Sequence, residues 1–133
     1  MSGEKNLTRL LQSLSPSLDP QSYVFCCLKD KSYGAFTELN PIASFKEQEG
    51  LTLVLTQTSA DQASLAYEGV FSRLELSVYS SLQAVGLTAA VAKALAKEQI
   101  SANVFAAFYH DYIFVSQSDG ERALVVLKRL SSS

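Results

Sequence analysis

The chain has 133 residues, of which 47% are hydrophobic and 18% charged, with a formal net charge of −2. That is enough apolar material to core one ordinary domain or two small interlocked ones, and too much for a disordered chain. A near-neutral balance with no run of basic residues offers no field to nucleic acid or anionic lipid.

Leu7, Leu10, Leu11 and Leu14 recur at the spacing of one helix stripe, and Ser15-Pro16 ends that short helix. Asp19-Pro20 reads as continuing loop, and Tyr23 to Leu28 as a strand. Within that strand Cys26 and Cys27 are adjacent, so they point to opposite faces and cannot easily bridge each other. They read as two small hydrophobes in a reducing compartment. Lys29 to Gly34 forms a polar turn, and Ala35 to Leu39 is expected to return as a second strand. Asn40-Pro41 has the chemistry of a helix start, cap followed by first-turn proline, and predicts a helix with Ile42 and Phe45 on one side ending near Gly50. Leu51 to Thr56 is a strand. Ser59-Ala60-Asp61-Gln62 matches a capping box for a short helix that dies out near Gly69.

The second half opens with a strand over Phe71 to Tyr79, where Leu74, Leu76 and Val78 alternate with Arg73, Glu75 and Ser77. A helix follows from Leu87 to Gln99, with Leu87, Val91 and Leu95 as its core stripe and Lys93 and Lys97 toward water. Its most apolar part, Val85 to Ala96, contains Lys93 and falls short of the roughly 20 residues that span a bilayer. Asn103 to Tyr109 and Tyr112 to Val115 form a hairpin across His110-Asp111, read as turn residues in water. Ser118 to Glu121 is a second capping box, and the last helix turns Ala123, Val126, Leu127 and Leu130 inward before a fraying Ser131–Ser133 tail. The N-terminus lacks the apolar core and cleavage site of a signal peptide, so a cytoplasmic location without a membrane partner is expected.

Both halves carry helix, strand, turn, strand, helix. Leu7–Leu14 matches Leu87–Leu95, Tyr23–Leu28 matches Val104–Phe108, and the helix after Asn40 matches the one after Ser118. The first copy adds Leu51–Thr56 at its end, and the second adds Phe71–Tyr79 at its start. The expected fold is therefore α+β: two interlocked ferredoxin-like units, 1–68 and 69–133, with antiparallel sheets and helices on one face. Each unit lacks an outer strand, and open edges are commonly covered by a symmetric partner, so a homodimer is expected.

Leu74 to Leu130 resembles the ACT domains at the C-terminus of aspartate kinases. Glu49 to Val54, Ser80 to Thr88 and Ile100 to Val104 resemble small stand-alone bacterial tandem ACT proteins. The resemblance implies a non-catalytic regulatory protein that binds a small molecule, an amino acid or related carboxylate. It places that ligand on the loop after the long strand, at Ser80, Ser81, Val85, Gly86, Leu87 and Thr88, with Asn103 opening the next strand; in the family the site usually lies between two domains. Small loop residues let backbone N–H groups approach a carboxylate, and a helix N-terminus favours an anion. An amide such as Asn103 can bridge ammonium and carboxylate. The loop lacks the Asp or His with which some ACT sites grip the ligand's amino group. A ligand-free oligomerisation module acting on a partner protein is the alternative reading.

No enzyme is expected. His110 beside Asp111 would need a nucleophile and an oxyanion site, the glycines form no phosphate loop, and two cysteines with one histidine in the other half make no metal set. No cofactor or metal is expected.

Overall fold

The computed structural model describes residues 6–31, 34, 36–77 and 85–132. Two compact units divide the chain: unit 1 holds Met1–Pro20 and Ser72–Ser133, and unit 2 holds Gln21–Phe71. Unit 2 is thus inserted, in sequence, into unit 1. The boundaries fall within β1 (Pro16–Leu28) and at the first residue of β4 (Phe71–Leu76).

Unit 1 contains α1 (Leu7–Gln12), the start of β1, β4, α3 (Leu87–Lys97), β5 (Ala102–Ala106), β6 (Asp111–Ser116) and α4 (Gly120–Ser132). Its sheet runs from the start of β1 through β4 and β6 to β5. The Ser77 N–H donates to the Ser15 carbonyl, and Arg73 meets Asp19 at 2.7 Å, so β1 and β4 run in opposite directions. β5 and β6 pair antiparallel from Ala102↔Val115 to Ala106↔Asp111. With β6 between β4 and β5, strand–α3–strand is a split β–α–β unit.

The helix-facing positions follow from alternation. Leu74 and Leu76 of β4, Ile113 and Val115 of β6, and the α3 stripe Leu87, Val91 and Leu95 are all buried in one cluster. Leu10 and Leu14 join them from the first helix, and Ala123, Val126 and Leu127 from the last. Gly120 shows how close this packing is. A Cβ there would lie 2.9 Å from Ser72 Oγ and 3.1 Å from Ser72 Cβ, so the last helix starts directly on the first turn of β4.

Unit 2 is a three-stranded antiparallel piece in the order β2 (Ala43–Lys46), β3 (Leu51–Thr56), β1. Tyr23↔Thr56 to Leu28↔Leu51 set one register, and Ala43↔Val54 to Lys46↔Leu51 the other. Val24, Cys26, Leu51, Leu53 and Leu55 form its core beneath Ala60 of α2 (Gln57–Gln62). Cys26 is buried and Cys27 exposed, as strand alternation requires, and burial pushes the Cys26 thiol up.

Several local expectations are corrected. Residues 43–46 form a strand, not a helix, because Asn40 takes a left-handed φ of 53° that closes a single 3₁₀ turn over Thr37–Leu39, and β3 then captures the chain on its outer edge. Ala35 to Leu39 is accordingly no strand where described. β1 starts at Pro16, seven residues earlier than Tyr23. The α2 cap is Thr56, whose Oγ1 accepts from Ser59 N–H at 3.2 Å, and the helix stops at Gln62. Asp119 binds Arg122 at 3.0 Å after a 3₁₀ turn, and Ser131 and Ser132 remain helical, donating back to the carbonyls of Lys128 and Arg129. The internal match therefore shifts: the β2–β3 hairpin followed by α2 corresponds to the β5–β6 hairpin followed by α4.

Replacing Gly120 by Ala should destabilise the chain by about 1–3 kcal/mol through overpacking. Urea melts should show Ser72→Gly recovering part of that loss in the double variant, because the obstructing atoms belong to Ser72.

Candidate functional site

Gly86 is the N-cap of the third helix, at φ 97° and ψ −15°, a left-handed conformation that favours glycine. It offers no capping side chain, and its carbonyl accepts from Ala90 N–H at 2.8 Å. The N–H groups of Leu87, Thr88 and Ala89 come before the first intrahelical bond and face outward from an eleven-residue helix. They carry the positive end of its dipole. The Leu87 side chain is buried in the core, so only its backbone can meet a ligand. Thr88 is exposed, and Val85 is 83% exposed. Ser80 and Ser81 lie outside the described residues.

Asn103 is not brought to this end within one chain. It sits on β5, which begins beyond the C-terminus of the third helix, and at 1.5 Å per residue that helix is about 16 Å long. Its amide donates to the Phe114 carbonyl at 3.4 Å, on the sheet face away from the helices. Gly86, Leu87 and Thr88 form one constellation, and Asn103 lies at the opposite end of the unit.

That end of unit 1 receives two other residues. The start of α4 packs on Ser72, at the beginning of β4, so the beginning of β6 lies toward the end of β4, where the chain leaves for Gly86. There Asp111 shares the helix-facing side of β6 with Ile113 and Val115 and is only 8% exposed. His110 is half-buried, and its Nδ1 is buried with no hydrogen-bond partner among the described residues. Burial pushes the Asp111 carboxyl above its ordinary value of 3.8, and the neighbouring His110 charge partly opposes this. The pair is therefore not a water-exposed turn. The alternation Asp111, Ile113, Val115 was the signal in the sequence: a strand that turns Ile113 and Val115 inward also turns Asp111 inward.

Two hollows lie elsewhere. One of about 380 Å³ is lined by Thr37, Asn40, Pro41 and Ile42 among others in unit 2, and one of about 230 Å³ lies between α3 and α4. Neither lining includes a buried ionisable side chain. Among the described residues no three His, Cys, Asp or Glu side chains gather as a metal set.

A carboxyl whose value is raised by folding binds its proton more tightly in the folded chain, so its stabilising contribution is present at low pH and lost as pH rises through the folded value. Asp111→Asn should therefore melt higher than the parent at neutral pH. The gap should close as the pH falls below 3.8, the ordinary value, where both side chains are neutral; calorimetric melts across that range measure it.

Two models of one family, described as the ACT domain, match residues 2–72 and 74–129. A Vibrio cholerae protein of unknown function, described as a possible transport protein, is 47% identical over 96% of this chain and 97% of that one, with a TM-score of 0.86. An Agrobacterium tumefaciens protein shares the fold at 16% identity, covering 89% of each chain, with a TM-score of 0.73. The regulatory subunit of aspartate kinase from Thermus flavus shares it at 9% identity over 89% of this chain and 98% of that one, with a TM-score of 0.65. No curated protein matches the chain.

Proposed function

The chain belongs to the ACT-domain family, as a tandem of two such domains, and from that premise we propose that it is a non-catalytic regulatory protein that senses a small carboxylate, an amino acid or close relative. ACT domains are regulatory modules that typically bind small molecules. The observation that carries the reading for this chain is the N-terminus of α3 on Gly86, where among the described residues no side chain caps the helix and first-turn backbone N–H groups suit an anion. A structural relative being a kinase regulatory subunit supports the same class of role. The two sequence halves, 1–68 and 69–133, are taken as the two domains, and the protein is proposed to work in the cytoplasm. No described helix is long and apolar enough to cross a membrane.

The position of Asn103 adds a second element to the proposal. β5 ends the sheet order in unit 1 and β2 ends it in unit 2, and β2 carries Phe45 at 68% exposure. Open strand edges invite pairing with another chain. A closed pair of identical subunits covers both copies of one edge and lets Asn103 of one copy complete a site on the other. Light scattering at about 10 μM should give twice the chain mass, since a micromolar Kd already corresponds to about 8 kcal/mol; a monomer at that concentration would remove the dimer from the reading.

Ligand binding is tested by melting the protein with each of the twenty L-amino acids. A ligand present at 100 times its Kd should add about 2.7 kcal/mol of stability. Asn103→Ala should then weaken calorimetric binding of the best hit by about 1–3 kcal/mol, the cost of an unpaired polar partner. If no amino acid shifts the melt, a ligand-free oligomerisation module becomes the better description.

A further inference from the structure

Among the described residues, unit 2 lacks a helix that unit 1 has. The sheet order places β3 between β1 and β2 just as it places β6 between β4 and β5. By that order the connection from β1 to β2, residues 29–42, is the counterpart of α3. Its described residues form one 3₁₀ turn over Thr37–Leu39, entered through Phe36 at φ 62° and left through Asn40 at φ 53°. Left-handed backbone at a phenylalanine is strained, and strain of this kind gathers where a chain is shaped around a ligand.

The difference leaves part of the unit 2 sheet uncovered. In unit 1, Ala102 and Val104 of β5 stand opposite Val115 and Ile113 and pack on the core beneath α3. On β2 the matching helix-side residue is Ser44, opposite Leu53, with Ile42 on the same side by alternation. Both are exposed. The hollow of about 380 Å³ lies at this place. Thr37, Asn40 and Ile42 line it from the connection, and Ser44, Leu51 and Leu53 from the sheet. With walls on both sides it is a gap of small-molecule size between loop and strands, and it offers a partner's helix no open bed.

The lining chemistry selects the ligand. No described lining residue is charged, so a zwitterion, a phosphate or a carboxylate would find no opposite charge there. The three polar side chains are the Asn40 amide and the hydroxyls of Thr37 and Ser44. Among the described residues none of these side chains makes a hydrogen bond. A carboxamide presents a donor and an acceptor side by side, the pattern that pairs with the edge of a nucleobase. Each hydroxyl can donate or accept. Pro41, Ile42 and the two leucines give ring faces apolar contact. A sugar alone would bring a hydroxyl on almost every carbon to a lining with only these three polar side chains.

We propose that this hollow in unit 2 binds an uncharged nucleobase, free or as its nucleoside, with the polar edge of the base on Asn40. It is a second ligand site, remote in sequence and different in chemistry from the Gly86 corner. It stands whether or not that corner binds an amino acid.

The test uses the full chain with adenine, hypoxanthine, cytosine and uracil and with their ribonucleosides, up to millimolar concentration. At least one compound should raise the melting temperature. In the parent protein that compound should shift the backbone amide NMR signals of Thr37, Ser44 and Leu53 and leave those of α3 in place. Asn40→Gly removes the amide and keeps the left-handed backbone, which glycine adopts readily. It should weaken calorimetric binding about 10-fold, the value of one hydrogen bond. Ser44→Leu fills the hollow from the strand side and should abolish binding. Both positions are exposed, so neither variant removes core packing. Response to the free base alone, or to base and nucleoside alike, fixes which form is taken and supports the proposal in either case. Equal binding by the parent and both variants, or NMR shifts confined to unit 1, overturns it. A parent whose melt no base or nucleoside moves overturns it without any variant.

Discussion

A strand laid against a helix layer can hide only every second side chain, and in unit 1 that arithmetic sets both the core and the site. β6 has three inward positions, 111, 113 and 115, and the antiparallel register with β5 fixes which they are. Ile113 and Val115 meet the α3 stripe and the buried face of α4, which holds three helices to one sheet. The third position goes to a carboxylate. A one-residue slip would turn Asp111 to the other face but would also expose Ile113 and Val115. The hydrophobic pairing thus holds the acid in place against its own hydration.

The helix layer imposes a complementary constraint at Gly86. The third helix must begin with Leu87 already inside the core, and the chain enters it through a left-handed residue. A Cβ at Gly86 would stand 3.1 Å from Leu7 Cδ2, so the first helix also closes down on this corner. Apolar packing below and, among the described residues, no capping side chain above leave the backbone N–H groups as the chemistry available there. Unit 2 has no counterpart on the same scale. Its α2 has six residues, is capped by Thr56, and covers a smaller cluster.

Much of this was legible in the residues. Leu87, Val91 and Leu95 at fours specify a helix stripe, and Leu74 and Leu76, or Leu51, Leu53 and Leu55, specify strands by twos. Gly86 before an alanine-rich helix marks a special turn. What stayed hidden depended on partners distant in sequence. Ala43–Lys46 has the flanks of a helix, yet β3 offers a free edge and the strand pairs with it. Tertiary pairing outweighed the local signal of Asn40-Pro41. His110-Asp111 looks like a turn when only its neighbours are weighed, and like an inward strand start once Ile113 and Val115 are counted on the same face. The family's pattern groups Asn103 with the loop. Within one chain it stands at the far end of the third helix.

The insertion of residues 21–71 into unit 1 has a consequence for the order in which the molecule can assemble. The pairings of β3 with β1 and β2 and the packing of α2 on β3 lie within that single stretch, so they are available as soon as the stretch exists. Unit 1 must wait. Its first helix and the start of β1 are made first, and they find α3, α4 and β4 only after the insertion has been traversed. Bridging the longer gap costs little at equilibrium, about 0.6 kcal/mol for each doubling of loop length, but contacts distant in sequence form slowly. During synthesis the leucines of the first helix stay without their core until the last helix, at the chain's C-terminal end, leaves the ribosome. The half of the molecule that carries the candidate site is therefore the last to close.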